Sequence, residues 1–306
     1  MNPIFYEQTF GVEIEMTGIT RKHAAEVIAE YFGTHASYEG TCYDTYFATS
    51  SDGRKWKAMS DASIRTTGGC STACEVVTPI LRYSDMDDLQ NIIRALRAAG
   101  AVTNESCGIH VHIGGDKHDA YSVTRLCNLM LKRQNLIYEA LEIGARADRW
   151  CGKLNGKLVA EMRKTEKTKA AFEPLWYGPL NEGGTRNPML GYHQHYDRTR
   201  YHGINLHAWY TKGTIEFRLF NGTLHAGKIK AYVQFCLALS TYAISTPEYH
   251  TVCNARFETT DRMNPEQKCK AMLNFLTDRL CLTGSEFKTC RLHLMTALNR
   301  AAGIAA

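Results

Sequence analysis

Three short stretches place acids, imidazoles and a guanidinium at alternate positions, so that each reads as a β-strand with one chemical face. In TFGVEIEM, residues 9–16, Val12, Ile14 and Met16 alternate with Glu13 and Glu15. On a strand these two carboxylates leave the same face roughly 7 Å apart, and at an effective dielectric of ~20 they repel by roughly 2 kcal/mol. A bound cation would remove that repulsion; on an exposed edge strand, water and salt would do the same. In SCGIHVHIGG, residues 106–115, Ile109, Val111 and Ile113 alternate with His110 and His112. Two imidazoles on one face suit a metal ion or a phosphate, or hydrogen bonds to neighbouring strands. In TIEFRLF, residues 214–220, Glu216 and Arg218 share one face and Ile215, Phe217 and Leu219 the other. That pattern fits either a working surface on a rigid element or an ion pair on a solvated face.

These residues need elements to hold them. The stretch 203–222, GINLHAWYTKGTIEFRLFNG, reads as two strands meeting at a turn at Lys212 and Gly213. Thr20 caps a helix over RKHAAEVIAEYF that Gly33 ends. Ser84 or Asp85 opens a second helix, with acids in its first turn, arginines in its last and Gly100 as its stop. Residues 36–59 form short strands around the turn Ser51, Asp52, Gly53, and KWKAM leads to Asp61, a ligand or a turn former. The loop TTGGCSTA precedes CEVVTPI, a strand that opens on Glu75. Residues 119–147 form an amphipathic core helix, and the basic run 152–169 reads as a solvated helix face. Residues 174–200, with Pro174, Pro179, Pro188 and four glycines, read as a long irregular excursion, a lid or specificity loop. His193 and His195 belong to its surface, and Arg198 and Arg200 lead into the strand that follows. Residues 228–306 supply closing helices, one of them capped by Asn264 with Pro265 at its first position.

The composition bounds the function class. With 306 residues, 44% hydrophobic and 22% charged, the chain is globular and is taken as one domain, 1–306. A net charge of +5 is too small a surplus to indicate nucleic acid and leaves room for an anionic substrate. Eleven cysteines, odd in number and without a CxxC pair, point to reduced thiols rather than a disulfide framework or a zinc knuckle. The N-terminus has no leader pattern, and the apolar run 231–245 is too short to span a bilayer, so a cytoplasmic protein without a membrane partner is expected.

Taken in order, FGVEIEM, DAS, CEVVTP, GIHVHIGG, RTRYHGINL and GTIEFRLFNGTL resemble the amidoligase family of the glutamine synthetase and glutamate–cysteine ligase superfamily, over roughly residues 9–225. The resemblance implies an α+β fold in which a curved antiparallel sheet forms a glutamine-synthetase-like funnel, with helices packed on its outer face. It implies ATP and Mg²⁺ or Mn²⁺ as cofactors. Glu13, Glu15 and Glu75 would be metal ligands, and His110 and Glu216 would hold the metal that bridges the phosphates. His112, Arg200 and Asn205 would lie near the nucleotide, and Arg218 with Arg200 on the phosphoryl group in transit, with Asp61 as a further catalytic residue. The chain departs from the family where Asp61, Ala62, Ser63 replace the common Asp-Gly-Ser, which removes backbone freedom beside Asp61. Residues 174–200 also match the family poorly, as a specificity element would. The function expected on these grounds is an ATP-dependent carboxylate–amine ligase acting on a small-molecule or peptide carboxylate and an amine. A catalytically silent nucleotide or amino-acid binder of the same fold, and a metal-dependent hydrolase, are the alternatives.

Overall fold

Alternation along residues 10–16 buries Val12, Ile14 and Met16 and leaves Glu13 at the margin of solvent, which makes this stretch the strand β1 (Phe10–Met16). The computed structural model describes residues 1–66, 69–179, 190–247 and 260–305, and combines helices with an antiparallel sheet that does not close, an α+β fold. The chain divides into two compact units, Thr9–His112 with Phe220–Gln234, and Met1–Gln8 with Ile113–Leu219 and Phe235–Ala306.

In the first of these, β1 is joined by β2 (Ser37–Tyr38), β3 (Tyr46–Thr49), β4 (Lys55–Met59), β5 (Cys74–Val77) and β6 (Gly108–Gly114), in the order β2-β3-β4-β5-β1-β6. The ladders β2–β3, β3–β4, β4–β5 and β5–β1 are antiparallel. Ile14 lies opposite Val76, and Val76 opposite Ala58, so these buried residues form one row of an apolar face. The helix Arg21–Phe32 packs on β3, β4 and β5 and on the helix Met86–Ala98. Its start and stop are those expected: the Thr20 hydroxyl accepts the His23 N–H at 3.2 Å, and Gly33 takes the left-handed conformation at φ 67°. Met86–Ala98 buries Leu89, Ile92, Ile93 and Leu96. Asp85 stands at its N-terminus without capping it, because the Asp85 carboxylate already accepts the Arg82 N–H and the Arg54 guanidinium.

In the second unit β7 (Ile204–Asn205) pairs antiparallel with β8 (Thr214–Asn221), Asn205 lying opposite Glu216. The expected two-strand hairpin is cut short here. Asn205 Oδ1 accepts the His207 N–H at 2.8 Å, which opens the short helix His207–Thr211, and Gly213 at φ 68° turns the chain into β8. Gly203 enters β7 so close to the Tyr138 hydroxyl and the Leu219 methyl that no Cβ fits. Pro174 lies inside the helix Lys169–Tyr177 rather than in the irregular excursion expected over 174–200. Thr168 caps that helix, and buried Phe172, Trp176 and Tyr177 hold its last turns despite the missing proline N–H. The Asn264–Gln267 capping box with Pro265 at the first position is as expected. Residues 180–189 of the proposed lid stretch, 248–259 of the closing helical stretch and 67–68 of the TTGG loop lie outside the described residues. No disulfide links the described cysteines, and no described helix is long and apolar enough to cross a membrane.

Candidate functional site

The face of β1, β5 and β6 opposite the apolar row gathers titratable groups. β1 delivers Glu13 and Glu15, β5 delivers Glu75, β6 delivers His110 and His112, and the turn after β4 delivers Asp61. Glu13 Oε2 lies 3.0 Å from His110 Nδ1, and Glu13 Oε1 lies 3.1 Å from His112 Nε2. Glu15 Oε1 is 3.7 Å from His110 Nε2, while Glu15 Oε2 accepts the Gly108 N–H at 2.6 Å. Asp61 serves first as a turn former, since its Oδ1 accepts the Ser63 N–H at 2.6 Å; its carboxylate nevertheless also reaches the acids. Glu15 is only 3% exposed, and Glu13, Glu75 and Asp61 are half-buried.

Glu15 faces Glu75 directly across the β1–β5 ladder. This long-range pairing is the reason the acids converge, and periodicity within either strand does not contain it. Two donor sets result. Glu13, Glu75 and His110 each offer one ligand atom within 4.8 Å of the other two, and so do Glu15, Asp61 and Glu75. Glu75 is common to both. Two carboxylate oxygens at 4.8 Å repel by ~3.5 kcal/mol at an effective dielectric of ~20. A divalent ion reverses the sign of that interaction. The donor chemistry fits a hard ion: one set is all carboxylate, the other two carboxylates and an imidazole.

The second unit holds its own buried cluster. Every residue of β8 from Ile215 to Phe220 is buried, so the Glu216 and Arg218 pair does not lie on a solvated face. Glu216 is 2% exposed and Arg218 5%. Arg218 Nη1 donates to Glu216 Oε1 at 2.5 Å, and Asn205 Nδ2 donates to Glu216 Oε2 at 2.7 Å. Asn205 is engaged at both ends of its amide, so it orients Glu216. Half-buried Arg200 lies over the rings of Tyr196 and Tyr201, and Arg218 also lies over Tyr201, 5.9 Å from the ring centre. Both guanidinium groups therefore share one aromatic partner.

Two features here were not legible beforehand. Asp197 is fully buried and ties the chain before Arg200 together, its carboxylate accepting the Gly191 N–H at 2.7 Å and the Thr199 N–H at 2.8 Å. Asp-Arg-Thr-Arg could have suggested a capping aspartate before a turn. The Tyr177 hydroxyl lies 2.7 Å from His207 Nδ1, and burial pushes the His207 pKa down against the opposing pull of Asp197. No local signal marks that contact, which joins residues 30 apart. His193 and His195 are exposed, as a surface reading of that stretch expects.

Residues 6–240, well over half of the chain, match the family described as "putative amidoligase enzyme". No curated protein matches the chain.

Proposed function

The chain belongs to the amidoligase family, and we propose that it is an ATP-dependent carboxylate–amine ligase that makes an amide or isopeptide bond through an acyl phosphate. The observation that supports this reading best is the pair of donor sets sharing Glu75. Phosphoryl transfer demands positive charge on the oxygens that share the transition-state charge. Glu13, Glu15, Glu75, His110 and Asp61 would hold Mg²⁺ or Mn²⁺, which supplies that charge when bound. In the proposed sequence a substrate carboxylate oxygen attacks the γ-phosphorus of ATP and ADP departs. The amine nitrogen then attacks the acyl carbon, loses a proton and expels inorganic phosphate.

The remaining roles follow the family resemblance and extend to its funnel-shaped sheet: Glu216 on a metal ion, His112, Arg200 and Asn205 at the nucleotide, and Arg218 with Arg200 on the phosphoryl group. The hydrogen bond from Arg218 to Glu216 supports this assignment in one respect, since it fixes the guanidinium before any substrate arrives.

Incubating the full chain with Mg-ATP and pools of amino acids and amines tests the proposal. ADP and a condensation mass should form together, only when both co-substrates are present, and EDTA should abolish both. Bond cleavage without ATP would identify a hydrolase instead. Nucleotide binding with no ADP under any pool would identify a silent binder.

A further inference from the structure

Asp61 and Glu75 belong to one donor set, yet the intervening chain has to return Glu75 to within 4.8 Å of Asp61. Asp61 is anchored through its neighbour, because the Ser60 N–H donates to the Tyr43 carbonyl at 2.8 Å. Tyr43 adjoins Asp44, a non-glycine residue held at φ 47°. Glu75 lies two residues after Ala73, which ends the short turn Cys70–Thr72. One side chain grips both segments. Arg21, the first residue of the helix Arg21–Phe32 and only 9% exposed, donates from Nε and Nη2 to Asp44 Oδ2 at 2.8 and 2.6 Å. Its Nη1 donates to the carbonyls of Cys70 at 3.0 Å and Ala73 at 2.9 Å.

We infer that Arg21 is a positioning residue that fixes the separation of Asp61 from Glu75 and thereby sets the cation affinity of the Glu15–Asp61–Glu75 set. The inference rests on the cation-binding reading above and adds a residue that touches no ligand. Asp44 is half exposed, so the ion pair itself contributes little to stability; the planar fork of donors, spread over a carboxylate and two carbonyls, supplies geometry. Lysine brings one compact ammonium and cannot span the same acceptors. The Glu13–Glu75–His110 set draws its members from β1, β5 and β6 alone and shares only Glu75 with the Glu15–Asp61–Glu75 set, where the β1–β5 ladder also holds Glu75 opposite Glu15.

Mn²⁺ titration of the full chain without nucleotide, followed by calorimetry and by the electron-spin signal of free Mn²⁺, separates the possibilities. Wild type should show two classes of site. Arg21→Lys should weaken one class by ~10-fold or more and leave the other within about twofold, as lost outer-shell support does. Glu13→Gln should weaken the other class, and Asp44→Asn should repeat the Arg21→Lys pattern more mildly, which covers the case of an Arg21 variant that fails to fold. Unchanged binding in the folded variants, or equal weakening of both classes, overturns the inference. Wild-type protein that binds no Mn²⁺ overturns the cation reading itself.

Discussion

On β8, Glu216 comes with its counter-charge two residues along the same strand: Arg218 reaches one of its oxygens and Asn205 the other, all within a buried layer. On β1 and β5, Glu15 stands opposite Glu75 across a ladder, like charge against like, with Asp61 adding a third carboxylate. Glu-x-Arg and Glu-x-Glu look alike to a reading by period, since both put two charges on one strand face. In the folded chain they are electrostatic opposites. The first region pairs its acid with a guanidinium; the second sets acid against acid, with imidazoles beside Glu13 and Glu15.

Removing an acid should therefore have opposite consequences in the two places. Glu216→Ala takes away the carboxylate that two buried donors share, and it should lower unfolding stability by ~3 to 5 kcal/mol in a denaturant titration. A loss no greater than that of a surface substitution would show that the pair contributes little to the fold. Arg218→Lys keeps the charge but loses the planar fork. Turnover should fall ~100- to 1,000-fold, with ATP affinity within roughly tenfold of wild type, because a donor that acts in the transition state shows in rate before affinity. Near-normal turnover removes Arg218 from the chemistry, and the melting temperature of the same variant separates rate loss from unfolding. The smallest effect is expected at Glu15→Gln, and its sign is the informative part. In EDTA this variant should melt a few degrees higher than wild type, as relief of about 1 kcal/mol of repulsion would produce, while its Mn²⁺ affinity falls. A lower melting temperature in EDTA would show that the contacts of Glu15 to Gly108 and His110 outweigh its repulsion by Glu75.

Local signals located most of the scaffold. Thr20 and Gly33 bound their helix, Asn264 and Pro265 theirs, and the alternation of Val12, Ile14 and Met16 marked β1 as that of Ile109, Val111 and Ile113 marked β6. The candidate residues were legible as types on faces. Their meeting was not, because Glu15 and Glu75 come together through strand order and register, which depend on contacts across some 60 residues of chain. The first arm of the hairpin misread for a more local reason. Ile204 and Leu206 suggest a strand, but the Asn205 side chain takes the His207 N–H and starts a helical turn instead. Alternation in β8 also overstated its meaning, since a strand buried on both faces alternates charge with carbon without facing water.

Register also bears on how the chain reaches this state. With Ile14 opposite Val76 and Glu15 opposite Glu75, the direction of every β1 side chain is fixed. A slip of one residue would drive Glu13 and Glu15 into the layer where Val76 and Ala58 are buried and lift Ile14 and Met16 onto the acidic face. Ionised carboxylates in such a layer cost several kcal/mol each, whereas an uncharged strand could slip for far less. The carboxylates thus penalise any β1–β5 pairing one step out of phase, so charge as well as apolar burial selects the native register.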